Sequence, residues 1–91
     1  MLHIVAYDIT DSHRLKKVAV LCKDYGIRIQ YSIFQFDLNE RLTQGFINEL
    51  QQVIDHGSDK VMIIPVCAAC RKSIKMLGAA EAFAAPKHYI F

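Results

Sequence analysis

Asp8 closes the apolar run Leu2-His3-Ile4-Val5-Ala6-Tyr7 and stands just ahead of a basic stretch running from His13 to Arg28. A carboxylate at the mouth of a strand, beside cationic side chains, suits metal-assisted chemistry on a phosphodiester. A divalent cation polarises the phosphate and activates water, and the basic side chains hold the flanking phosphates. An Asp after a strand also serves as a turn residue or helix cap, so residue type alone leaves both roles open. Cys67 and Cys70 form the second chemical pair. Their spacing suits half of a zinc site, but a structural zinc takes four ligands, no second pair follows, and Cys22 falls on an apolar helix face. No thioredoxin-like context surrounds them. The histidines at 3, 13, 56 and 88 are scattered, and His13, the nearest to Asp8, reads as a surface residue within range of a proton-transfer role.

The elements that must position Asp8 follow from periodicity. Residues 2 to 8 read as a buried strand ending at the polar turn Thr10-Asp11-Ser12. Leu15, Val18, Ala19 and Cys22 then recur at helical spacing, with Ser12 as the expected cap and Gly26 as a left-handed stop. The opposite face of that helix displays Arg14, Lys17 and Asp24. Ile27, Ile29, Tyr31 and Ile33 alternate with Arg28, Gln30, Ser32 and Phe34, giving a strand over 27–36 with one apolar and one mixed face; a bulge near Ser32 would divide it in two. Asn39 can cap a second helix with the stripe Leu42, Phe46, Ile47, Leu50, Val53 and Ile54, stopped by Gly57. Residues 60–66 form another strand, in which Pro65 implies an edge or an end. Residues 73–78 are read as one more short strand after a turn at Cys67 to Cys70. Residues 79–86 read as a small-residue linker before the apolar end His88-Tyr89-Ile90-Phe91.

Strands interleaved with two helices imply an α/β, two-layer α+β sandwich with both helices on one face of the sheet. At 91 residues there is room for one domain over 1–91, and a domain of this size buries only about 60% of the surface of its unfolded chain. With 53% hydrophobic residues, apolar surface is left over, and a homodimer is the expected cover. Residues 79–91 are expected to be a C-terminal extension pairing with the partner subunit's sheet edge.

Eleven Lys and Arg against nine Asp and Glu give a net charge of +2, too small to diagnose a nucleic-acid partner by itself. The distribution says more. Arg14, Lys16, Lys17, Lys23 and Arg28 lie close together, whereas Asp37, Glu40, Glu49, Asp55 and Asp59 fall in the next third. The N-terminal run lacks the layout of a secretory signal, and the apolar stretch 61–70 is too short to span a membrane. A cytoplasmic protein with reduced thiols and no membrane partner is the expectation.

The segments Tyr7-Asp8-Ile9-Thr10, Arg14, Lys17-Val18 and Tyr25 to Phe34 together resemble the CRISPR-associated Cas2 family. So do Ser58-Asp59-Lys60-Val61, Ile64-Pro65-Val66, Cys67-Ala68-Ala69-Cys70, Leu77-Gly78 and Tyr89-Ile90-Phe91, in the same order. The resemblance implies a ferredoxin-like fold with a four- to five-stranded sheet, a homodimer, and work with the CRISPR integrase subunit in capturing new spacers. It also implies endonuclease activity on RNA or double-stranded DNA. Asp8 matches the family's metal-binding and catalytic residue, Tyr7 joins it as a catalytic residue, and Arg28 and Phe34 match residues placed around it, Phe34 as support. Arg14, Lys16, Lys17 and Arg28 are the expected nucleic-acid contacts. A second arginine common in the family's first helix falls here on Lys16 or Lys17, and lysine lacks the planar two-pronged contact to phosphate.

Mg²⁺ or Mn²⁺ is the expected cofactor. Mg²⁺ is usually held by one or two carboxylates with water and substrate phosphate, so a two-fold axis bringing Asp8 together with its symmetry mate would complete the set. At ~4 Å two such carboxylates repel by about 4 kcal/mol at an effective dielectric of 20, and a cation relieves that repulsion. Two other readings stand beside this one. One is a non-catalytic DNA-binding scaffold spanning two integrase units. The other is a toxin-like ribonuclease of the related virulence-associated family, acting without the integrase.

Overall fold

The computed structural model describes residues 1–78. Its elements run β1 (Leu2–Asp8), α1 (Ser12–Tyr25), β2 (Ile27–Gln30), β3 (Ile33–Asp37), α2 (Glu40–Val53), β4 (Lys60–Val66) and a short α3 (Ala68–Lys72). The four strands form one antiparallel sheet in the order β2-β3-β1-β4. This βαββαβ order is the ferredoxin-like arrangement. The expected extension at 79–91 lies outside the described residues.

Strand alternation separates the two faces of the sheet. Val5 and Tyr7 of β1, with Phe34 and Phe36 of β3, point towards the helices and meet Val18 and Cys22 of α1 and Phe46 and Leu50 of α2 in the core. Burying each of these large side chains contributes roughly 1.5–3 kcal/mol. Their rings run in a chain: Tyr7 stacks on Phe34 at 6.2 Å between centroids, Phe34 meets Phe36 edge-on at 6.5 Å, and Phe36 meets Phe46 edge-on at 4.7 Å. Burial pushes the Cys22 thiol up to about 12, which leaves it a neutral core residue.

The other face carries Ile4, Ala6 and Asp8 of β1, opposite Ile64, Met62 and Lys60 of β4, with Ile33 and Gln35 of β3 alongside. Met62 is 60% and Ile64 41% exposed. On this face Gln35 is buried, and its Nε2 has no hydrogen-bond partner.

Several sequence expectations are revised. Asp11, not Ser12, caps α1: its carboxylate accepts from the main-chain N–H of Arg14 at 2.9 Å. Asn39 caps α2 as expected, accepting from the N–H of Leu42 at 2.8 Å. Gly26 is extended, with φ −158°, so it is not a left-handed stop. A Cβ there would stand 2.1 Å from Phe36 Cδ1 and 2.3 Å from the Gln35 carbonyl oxygen, so the position is constrained by space. Of the two readings of 27–36, the divided one holds: it is two short strands, parted at Tyr31-Ser32. The chain reverses at Tyr31-Ser32, making β2 and β3 a hairpin with a register shift between Arg28 and Gln30. Phe34, assigned by alternation to the mixed face, is fully buried in the core. Residues 73–78 form no strand, and the Cys67 to Cys70 segment leads into α3. Among the described residues β4 pairs only with β1, which puts Pro65 on an edge strand.

Candidate functional site

Asp8 ends β1 exposed, with no side-chain hydrogen bond or ion pair among the described residues. The strand ladder sets Lys60 opposite it, on the same face. Around the tip of β1 opens a cleft of about 430 Å³ between α1 and the β2–β3 hairpin. Tyr7, Asp8 and Ile9 form its floor. Leu15, Lys16 and Ala19 form the helix wall, and Arg28, Tyr31 and Ser32 form the hairpin wall.

The hairpin is fastened to β1 through Tyr7. The Tyr7 main-chain N–H donates to the Ser32 carbonyl at 3.0 Å, and its hydroxyl donates to the Tyr31 carbonyl at 3.3 Å. Burial raises the Tyr7 pKa, against the opposing influence of Arg28, so the phenol remains a proton donor at neutral pH. The Arg28 guanidinium carbon lies 5.1 Å from the centre of the Phe34 ring. A ring face attracts a cation at that distance and holds the side chain over the cleft. Tyr7, Arg28 and Phe34 are therefore gathered around the end of β1.

Lys16 borders the Asp8 cleft and also, with Lys17, His13, Val20 and Leu21, a second groove that reaches Val53 of α2; Lys17 lines only the second. His13 is exposed and does not line the Asp8 cleft.

Arg14 is engaged elsewhere. Its Nε donates to Asp59 Oδ2 at 2.8 Å and its Nη2 to Asp59 Oδ1 at 3.3 Å, with further contacts to Thr10 Oγ1 at 3.3 Å and Ser58 Oγ at 3.4 Å. The Asp59 side chain is fully buried. It also accepts from the main-chain N–H groups of Thr10 at 3.1 Å and Asp55 at 2.8 Å. Arg14, then the Asp55 and Thr10 N–H groups, hold its carboxyl well below the usual carboxylate range. This cluster ties the start of α1 to the loop before β4. Sequence reasoning counted Asp59 only as surface charge, although Ser58-Asp59-Lys60 directly precedes a strand and belongs to the segments carrying the family resemblance.

Among the described residues, no three His, Cys, Asp or Glu side chains converge as a metal cluster. Among the described residues, Asp8 is the one carboxylate that lines the cleft. That donor fits Mg²⁺, which is content with one or two carboxylates when water and phosphate oxygens fill the remaining positions.

The family model for CRISPR associated protein Cas2 matches residues 1–74. The chain belongs to the Cas2 family. It is 30% identical over 90 residues to a CRISPR-associated endoribonuclease Cas2 of Chloroflexus aurantiacus, covering 99% of this chain and 97% of that protein. It is 43% identical over 65 residues to a CRISPR-associated endonuclease Cas2 of Thermus thermophilus, covering 71% of this chain and 72% of the relative. Among solved structures, Streptococcus pyogenes Cas2 at pH 6.5 superposes with a TM-score of 0.76 at 29% identity, covering 86% of this chain and 100% of that one. A hypothetical protein from Thermus thermophilus superposes with a TM-score of 0.77 at 39% identity, covering 85% and 89%. The four-stranded sheet and paired helices of this Cas2-family chain are thus shared with its relatives. No helix among the described residues is long and apolar enough to cross a membrane.

Proposed function

We propose that this Cas2-family protein is a cytoplasmic, metal-dependent endonuclease that hydrolyses phosphodiesters in RNA or double-stranded DNA. It acts as a homodimer, alongside the CRISPR integrase subunit, in spacer acquisition. The observation that carries the reading is Asp8, exposed and unpaired among the described residues, on the sheet face that also presents the exposed Met62 and Ile64. Covering that face with a second copy would bring two Asp8 carboxylates to the shared boundary. The exposed Met62 and Ile64 support such a cover. The names of the relatives from Chloroflexus aurantiacus and Thermus thermophilus support nuclease activity.

The two Asp8 side chains would hold Mg²⁺ or Mn²⁺. The ion supplies Lewis-acid polarisation of a phosphoryl oxygen and a more acidic water. Arg28 holds the phosphate beside the scissile one, its angle set by the Phe34 ring beneath it. Lys16 on the opposite wall, and Lys60 beside Asp8, neutralise charge as it builds on the phosphoryl oxygens. Tyr7 keeps the hairpin closed on β1 and so fixes the spacing between Arg28 and Asp8. Arg14 serves the scaffold more than the substrate, since its Nε and Nη2 donors face Asp59. Lys17 extends the basic surface along α1 for the flanking backbone.

The test is cleavage of labelled RNA and labelled duplex DNA with Mg²⁺ or with a chelator, by wild type and Asp8→Asn. Cleavage by wild type only when metal is present, and none by a folded Asp8→Asn protein, is expected. Metal-dependent cleavage that persists in the variant overturns the assignment of Asp8, whereas a wild type that cleaves neither substrate with metal present leaves the DNA-binding scaffold as the surviving role.

A further inference from the structure

Tyr31 is the outlier of the cleft. Its side chain is 93% exposed at the tip of the β2–β3 hairpin, yet its carbonyl accepts from the Tyr7 hydroxyl and the next carbonyl, of Ser32, from the Tyr7 main-chain N–H. An aromatic ring presented on a fastened turn contributes almost nothing to its own fold. It is open to a flat partner.

The surroundings specify which partner. Across from Tyr31 the helix wall is apolar, with Leu15, itself 39% exposed, and Ala19. Two cations, Lys16 and Arg28, stand on opposite walls, and Asp8 lies on the floor between them. An apolar slot with a free aromatic rim and cations on either side matches a nucleotide: a flat base flanked by two phosphates. The volume of about 430 Å³ lies at the small end of the range for small-molecule pockets, so it suits one nucleotide rather than a base pair. A base offers its flat face only when it is unstacked from its neighbours, and stacking on an aromatic side chain is tolerant of base identity.

We propose that this cleft binds a single unpaired nucleotide, with Tyr31 stacking on the base, Leu15 and Ala19 backing it, and Lys16 and Arg28 holding the phosphates on either side. The proposal rests on the nuclease reading for its meaning, because it places the phosphate beside that nucleotide next to Asp8. It narrows the substrate to single strands and to frayed or overhanging ends of duplexes. Continuous duplex meets only the cations.

The test is fluorescence anisotropy in chelator, where no cleavage occurs, with labelled single-stranded RNA, single-stranded DNA and blunt duplex DNA. Tyr31→Ala is expected to weaken both single strands about tenfold and to leave the duplex unchanged, while Tyr31→Phe binds like wild type. Loss on RNA alone would assign the slot to ribonucleotides and still support it. Unchanged single-strand affinity in Tyr31→Ala overturns the proposal, and so does an equal loss on duplex. A change in sedimentation of Tyr31→Ala also overturns it, because the ring would then be an intersubunit contact. Binding in chelator is independent of catalysis. A wild type that never cleaves but shows the Tyr31 dependence sinks the nuclease reading alone, and an Asp8-dependent nuclease indifferent to Tyr31 sinks this proposal alone.

Discussion

At the scale of single residues, the two acids that matter have opposite environments. Asp8 is solvent-facing and without a partner among the described residues, whereas Asp59 is buried and receives hydrogen bonds from Arg14, Thr10 and Asp55. Free carboxylates are available to a cation, and satisfied ones hold structure together. Because Arg14 and the neighbouring N–H groups depress the Asp59 pKa, the folded chain releases this proton more readily than the unfolded chain. The resulting stability is whole above about pH 4, the ordinary carboxylate range, and is lost as pH falls through the lowered folded value. Urea melts taken from pH 7 downwards should therefore show wild type losing stability in acid. Asp59→Asn should start less stable at pH 7 and show a shallower acid slope, and equal slopes would remove Asp59 from this role. Sequence made Asp8 visible because a carboxylate at a strand end stands out. It did not separate Arg14 from Arg28, since only the fold shows that one guanidinium meets a buried acid and the other an aromatic ring.

At the scale of elements, β1, both helices and β4 were legible because each carries a long, regular pattern. The hairpin was legible only as one of two readings, for a physical reason: Ile27, Ile29, Tyr31 and Ile33 continue their alternation straight through a two-residue turn that contains neither Gly nor Asn. Tyr31 was consequently placed on an apolar strand face, when it is the exposed tip of a turn. Gly26 was legible as a stop but for the wrong cause. Its backbone suits any residue, while the space beside it suits none larger. Gly26→Ala should destabilise the fold by about 1–3 kcal/mol through overpacking against Phe36 and the Gln35 carbonyl, as read by chemical denaturation. A neutral substitution would mean that β3 shifts freely at this point. Asn39→Ala should cost about 1 kcal/mol through loss of the α2 cap, with a melting curve of unchanged shape.

At the scale of the whole molecule, the helices among the described residues cover one face of the sheet, and the other carries apolar side chains of which Met62 and Ile64 are exposed. Hydrophobic content well above what so small a core can absorb was visible in composition, and the ladder shows where the excess lies: Ile4, Ala6, Met62 and Ile64 share the face of Asp8. Met62→Lys with Ile64→Lys should yield a folded monomer by sedimentation and abolish metal-dependent cleavage, because the second carboxylate is then missing. A double variant that stays dimeric, or cleaves as a monomer, would move the interface elsewhere. The account turns on two Asp8 side chains sharing one cation, so its most direct measurement is activity in mixed dimers. Asp8→Asn chains are titrated into wild type at constant total protein and allowed to exchange subunits. If both carboxylates are required, activity follows the square of the wild-type fraction, and an equal mixture keeps about one quarter of it. A straight-line decline, with about one half remaining, would show that each Asp8 works alone and would contradict the shared site.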